Sequence, residues 1–130
     1  ALRKGCIEAT VVALARALVG AGIEHEILVV DDHSRDHTGE VLAALAAQLP
    51  ALRVIQNEHP PGFGFAVRSG LERFEGDAVA VVMADASDRP EDLVRFFRTL
   101  ERSGADCVFG SRWSAESARA RVAYGPAYTR

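Results

Sequence analysis

The sequence predicts an α/β fold, a mostly parallel sheet with helices on both faces. Three observations predict it. Helical and strand-like segments alternate as αβαβαβαβ along the 130 residues. The short runs EILVV, AVAVVM and DCVFG are apolar and lack the in-out alternation of a half-solvated strand, as strands buried on both faces do. Carboxylates gather where two of these runs end, and in open parallel sheets ligands bind beyond the carboxyl ends of the strands.

The first element is a helix: Ile7, Val11, Leu14, Ala15 and Leu18 recur at helical spacing, and Gly20 to Gly22 end the run. An α/β chain usually opens on a strand, so a first strand is expected to precede Ala1. Residues 26–30 form a short strand running into the acidic turn DDHSRDHT. Val41, Leu42, Leu45 and Leu49 mark a second helix ended by Pro50, and residues 52–56 form the next strand. The loop NEHPPGFG, residues 57–64, leads to a helix over residues 65–74 that turns Val67 and Leu71 inward. Residues 78–83 are the most apolar strand. A helix from Pro90 to about Arg102 then presents Leu93, Phe96, Phe97 and Leu100 to the core, and residues 106–110 form a last strand. Residues 114–130 are Arg- and Ala-rich with little apolar periodicity, a frayed end or, the reading favoured, the start of a further segment.

Composition bounds the function. A chain of this length is one domain, able to bury roughly two-thirds of its unfolded surface. A net charge of −3, from 15 basic and 18 acidic residues, does not suggest a nucleic-acid partner. No apolar run approaches the ~20 residues that span a bilayer, and no signal peptide is visible, which points to the cytoplasm. Cys6 and Cys107 are far apart and lack metal-ligand spacing, so they are expected as reduced core or helix thiols.

The carboxylates carry the chemistry. Asp31 and Asp32 follow one strand, and Asp85 and Asp88 follow another. Asp36 and Thr38 suit local capping, whereas two adjacent carboxylates at a strand end suit it less well. Asp88-Arg89-Pro90-Glu91 also fits a capping box, with Asp88 as the N-cap. If all four aspartates share one sheet edge they repel and raise each other's pKa, which a hard divalent cation such as Mg²⁺ or Mn²⁺ would relieve. His33 and His37 flank Asp36, but in a turn and not on one helical face, so a His/Asp metal site is the weaker reading. Gly62-Phe63-Gly64 ahead of a helix suggests a phosphate-cradling loop, although neither a dinucleotide-binding nor a P-loop motif is present. Arg68 lies on that helix. Arg112, after the last strand, offers the planar fork that binds phosphate.

Together these stretches resemble the family 2 glycosyltransferases of the GT-A fold, those acting on dolichol or polyprenyl phosphate in particular. ILVVDDHSRDHT resembles the family's VVDDGSxDGT, with His33 and His37 in place of glycines. GFGFAVRSG resembles GxGxAxRxG, VVMADASDRPED resembles the DxD strand and the P-E that follows it, and GSRW resembles GSRY or GSRF. The resemblance covers residues 7–113 and implies that residues 1–113 are a partial GT-A domain that binds a nucleotide-diphosphate sugar. It implies a donor site of Asp31, Asp32, Gly64, Arg68, Ala84 and Asp85, catalytic roles for Asp85, Asp88 and Arg112, and Mg²⁺ or Mn²⁺ on Asp85 and Asp88. It also implies a polyprenyl-phosphate acceptor at the cytoplasmic face of a membrane. Two departures stand out. Met83 occupies the first Asp of DxD, and the family's first strand, which lies between the strand at Ile27 and the strand at Ala78, is absent.

Two rival readings differ in class. A non-catalytic nucleotide-sugar-binding or interaction fragment shares the donor-site residues. A receiver-type phosphoacceptor domain also pairs acids at strand ends, but it needs a Lys at a late strand end, and the only Lys is Lys4.

Overall fold

The computed structural model describes residues 4–111. Arg112, Trp113 and the segment 114–130 lie outside the described residues, as does the Cys6 side chain. The element order is α1 (Lys4–Gly20), β1 (Ile27–Asp31), α2 (Thr38–Gln48), β2 (Leu52–Gln56), α3 (Phe63–Leu71) and α4 (Pro90–Ser103). The chain divides into two compact units, with the division inside α4 after Val94.

In the first unit β1 and β2 pair in parallel, from Ile27 opposite Leu52 to Asp31 opposite Gln56. Successive strand residues point to opposite faces, and both faces are used. Val29 and Leu52 join Ile7, Val11, Leu42 and Leu45 in the core that α1 and α2 close. Val30 faces the other way, where its Cγ2 lies 3.4 Å from where a Cβ on Gly70 of α3 would sit. A Cβ at position 70 would meet Val30 in ordinary contact, so α3 packs closely on this face. Helices therefore cover both faces, as expected.

The helix ends follow from local chemistry. Past α1, the Ile23 N–H donates to the Leu18 carbonyl and the Gly22 N–H to that of Val19, each at 3.0 Å. Gly22 sits at φ 67. This is a Schellman stop, which needs the left-handed conformation that glycine adopts without penalty. Before α2, Asp36 Oδ1 accepts the Thr38 N–H at 3.0 Å. Pro90 opens α4, where its missing N–H costs nothing. Glu91 and Asp92 in the first turn and Arg102 in the last complement the helix dipole.

Four expectations are corrected. Residues 78–83 are not a doubly buried strand: Val79, Val81 and Met83 are 52%, 57% and 42% exposed. A strand is held by ladder bonds to a neighbour. Among the described residues β1 and β2 form the sheet and no strand pairs with residues 78–83, so no ladder forms there. Residues 106–110 likewise form no strand, and Phe109 and Cys107 are exposed. No residue of α4 is buried. Leu93, Phe97 and Leu100 are half-buried and Phe96 is more open still, because the expected strands that this apolar stripe would cover are not formed. The third helix also starts and stops earlier than expected, at Phe63–Leu71.

Candidate functional site

The carboxyl ends of β1 and β2 meet in a hydrogen-bonded cluster. Asp31 closes β1 and is buried, with 4% of its surface exposed. Its Oδ1 accepts the Ser34 N–H at 3.0 Å and its Oδ2 accepts from Gln56 Nε2 at 2.9 Å. Burial pushes its pKa up, but the bonds from Ser34 and Gln56 outweigh burial and hold it below the ordinary carboxylate value. Asp31 therefore ties the turn after β1 to the end of β2.

Asp32 is half-buried. Its Oδ1 accepts from Asn57 Nδ2 at 2.7 Å and its Oδ2 accepts the Gly62 N–H at 2.9 Å. These two bonds, that from Asn57 first, lower its pKa, and the neighbouring Asp31 charge opposes them only weakly. The elevation that the Asp31 charge causes at Asp32 is outweighed here by the donors from Asn57 and Gly62. Gly62 has φ 145, which favours glycine, and its carbonyl accepts the Ala66 N–H as α3 begins. The glycine loop expected to cradle phosphate is thus pinned to Asp32. Gly64 lies in the first turn of α3 with open space around it. Arg68 is exposed and its Nε donates to Glu72 Oε1 at 2.9 Å.

Asn57, which the sequence reading passed over, is the hub. It is 2% exposed. Its Nδ2 also donates to the Pro60 carbonyl at 3.1 Å, and its Oδ1 accepts the His59 N–H at 2.9 Å and Ser69 Oγ at 2.7 Å. An uncharged Asn in a Pro-rich stretch reads as a turn residue. Its place directly after a buried strand was the one available signal.

His33 takes φ 59, a left-handed conformation, at a position where the resembling motif has glycine. Its Nε2 lies 3.1 Å from the His59 carbonyl, so that nitrogen carries the proton. His37 Nδ1 pairs with Glu40 Oε2 at 3.0 Å. Both imidazoles are thus engaged within the protein.

Asp85 and Asp88 lie on the loop before α4 and are exposed. Asp85 Oδ1 accepts the Ser87 N–H at 3.0 Å, and Ala86 between them takes φ 61. Asp88 Oδ2 accepts the Met83 N–H at 2.9 Å. The capping box is corrected: the Arg89 carbonyl accepts the first helical bonds, from Asp92 and Leu93, so Arg89 holds the N-cap position and Asp88 precedes it. The Ala84 carbonyl accepts from Thr10 Oγ1 at 3.1 Å, which ties this loop to α1. Among the described residues no three His, Cys, Asp or Glu side chains converge to hold a metal. The pair Asp85 and Asp88 by itself is a hard oxygen donor set, and Mg²⁺ is commonly held by one or two carboxylates completed by substrate phosphates. The residues present fit such a cation.

Comparison with known proteins shows the family. Over 92 residues the chain is 34% identical to a dolichol-phosphate mannosyltransferase of Pyrococcus furiosus, covering 71% of this chain and 26% of that protein. Over 94 residues it is 42% identical to an undecaprenyl-phosphate mannosyltransferase of Micrococcus luteus, covering 68% and 37%. It is 33% identical over 93 residues to the succinoglycan biosynthesis protein ExoO of Rhizobium meliloti, covering 72% and 26%. The chain thus spans about a quarter to somewhat over a third of the length of these relatives. No solved structure gives a significant match. Among the described residues no helix is long and apolar enough to cross a membrane. Residues 3–127 match the family described as "Glycosyl transferase family 2", so a match over nearly the whole chain agrees with the acidic strand ends and the glycine loop, and the chain belongs to glycosyl transferase family 2.

Proposed function

We propose that this chain is the donor-binding part of a glycosyltransferase that moves a sugar from a nucleoside-diphosphate donor to a polyprenyl-phosphate acceptor at the cytoplasmic face of a membrane. The observation that carries the reading is the pair Asp31 and Asp32. Both are held ionised at the carboxyl end of β1, and Asp32 is joined to the glycine that starts α3. Two relatives are named for mannosyl transfer to dolichol phosphate or undecaprenyl phosphate, which favours that class of acceptor.

In this reading the two aspartates divide the work. Buried Asp31 braces the strand ends, while half-buried Asp32 keeps lone pairs for the N–H and O–H groups of a base or ribose. Gly64 lies in the first turn of α3, where amide dipoles favour a diphosphate, and Arg68 in its last turn adds a guanidinium. Ala84 and Asp85 would border the donor from the loop before α4, and Arg112 would meet a phosphate. Asp85 and Asp88 would hold Mg²⁺ or Mn²⁺, which when bound neutralises the diphosphate leaving group. A phosphate acceptor is already an anionic nucleophile and needs no general base, which fits a site whose carboxylates are occupied as hydrogen-bond acceptors.

The test is calorimetric titration of uridine diphosphate and guanosine diphosphate into the chain with Mn²⁺, then with EDTA. At least one nucleotide is expected to bind, more tightly with the metal. Asp32→Ala is expected to weaken it about tenfold or more, since a charged hydrogen-bond acceptor is lost. Equal affinity in EDTA would remove the metal from the reading, and equal affinity in Asp32→Ala would remove Asp32.

A further inference from the structure

The Asn57 amide has two N–H donors and room for two accepted bonds, and all four are used. Both donors meet acceptors, Asp32 Oδ1 and the Pro60 carbonyl, and both accepted bonds come from donors, the His59 N–H and Ser69 Oγ. Reversing the amide would set oxygen against a carboxylate and a carbonyl, so one orientation alone satisfies the network. Asp and Leu match the shape but not the pattern. Each loses the N–H groups that face Asp32 and Pro60.

The four partners lie on three different stretches: the turn after β1, the loop that runs from β2 to Gly62, and α3. We propose that Asn57 is a positioning residue of the donor site, fixing the Asp32 carboxylate for the nucleoside and, through the same amide, setting the loop that delivers Gly62 to the phosphate end. The inference rests on the donor-binding reading above and adds a residue to it. Asn57 acts through Asp32 and touches no donor itself. With 2% exposure it has no surface to offer a ligand. Asp32 holds Gly62 through its other oxygen, so a displaced Asp32 carboxylate also releases the glycine loop. Nucleoside and diphosphate recognition are therefore linked through one side chain.

The test compares the parent chain with Asn57→Asp and Ser69→Ala by titration with uridine diphosphate and guanosine diphosphate in Mn²⁺, with melting recorded for each. Asn57→Asp is expected to weaken binding about tenfold or more at pH 7.5, because two carboxylates then face each other. Part of the loss should return toward pH 5, where a shared proton restores an O–H···O bond. Ser69→Ala removes a bond at the far end of the same amide. It should lower the melting midpoint yet change affinity by less than about threefold. Parent-like binding by Asn57→Asp overturns the proposal. So does an equal loss in Ser69→Ala, since general loosening would then explain both. Should Asn57→Asp be unfolded at pH 7.5, Asn57→Ser replaces it with the same expected loss and no recovery at low pH. A parent chain that binds neither nucleotide overturns the donor-binding reading itself, and this inference with it.

Discussion

Two adjacent aspartates of identical chemistry do different things because their donors differ. Asp31 is buried and spends its oxygens on Ser34 and Gln56, while Asp32 stays half-open on Asn57 and Gly62. The sequence marked both as candidates. It could not separate them, because burial of a side chain depends on what packs from elsewhere in the chain. The pKa directions give a pH prediction. Both carboxylates have native values below their unfolded ones, so the stability they contribute is fully present above about pH 4 and is lost as pH falls through the lowered native values. Denaturant midpoints measured between pH 7 and 2.5 should fall in that acid range, and Asp31→Asn should flatten the fall. An unchanged acid profile in Asp31→Asn would show that Asp31 contributes none of it. At His33, the left-handed backbone costs a β-carbon residue roughly 1–2 kcal/mol, partly offset by the greater unfolded entropy of glycine. His33→Gly should therefore raise the melting midpoint by a few degrees, on the order of 0.5 kcal/mol. A lower midpoint would mean that the bond between His33 and the His59 carbonyl outweighs the backbone strain.

At the scale of elements, α1, α2, β1 and β2 were legible because each carries a complete local signal of apolar period, stop residue and flanking polar turn. Residues 78–83 carry an equally strong strand signal and form no strand. Strand-forming residues set a preference, but the ladder needs a neighbour. The start of α4 shows the same limit on a finer scale. Asp88 fits a capping box by spacing, yet its carboxylate bonds back to Met83 and Arg89 takes the N-cap position. Asp88 thus tethers the loop and does not cap the helix. Asp88→Asn keeps an oxygen for the Met83 N–H and should leave the melting midpoint nearly unchanged, whereas Asp88→Ala should cost about 0.5–1 kcal/mol. Amide exchange at Met83 checks the assignment: faster in Asp88→Ala and parent-like in Asp88→Asn. If exchange at Glu91 or Asp92 accelerates instead, Asp88 is a cap after all. Comparing the same two variants in Mn²⁺ titrations separates tethering from metal binding, since an amide is a poorer partner for a hard dication.

Among the described residues the sheet has two strands, and one edge of β1 meets no further strand. The Ile27 N–H donates to the Ala51 carbonyl, and the Asp31 carbonyl accepts from the Asn57 N–H. Alternate residues of a strand face alternate neighbours, so Leu28 and Val30 present their backbone groups to the other edge. With Val79, Val81 and Met83 also exposed, the chain carries the two features that promote self-association, an open edge and an apolar patch. Sedimentation should detect concentration-dependent association of this chain, reduced in the double variant Val79→Lys and Val81→Lys. A monomer at all concentrations would contradict this. The family was readable from short motifs in a fixed order. The hub at Asn57 was not, because an uncharged amide gains its meaning only from the four groups that fold around it. The most direct test of the account is a map of backbone amide shifts by NMR as uridine diphosphate or guanosine diphosphate is added with Mg²⁺. The account predicts shifts concentrated at residues 31–34, 57–64 and 84–88. Shifts confined to the opposite end of the strands, around Glu24 to Glu26, or no shifts with either nucleotide, would contradict it.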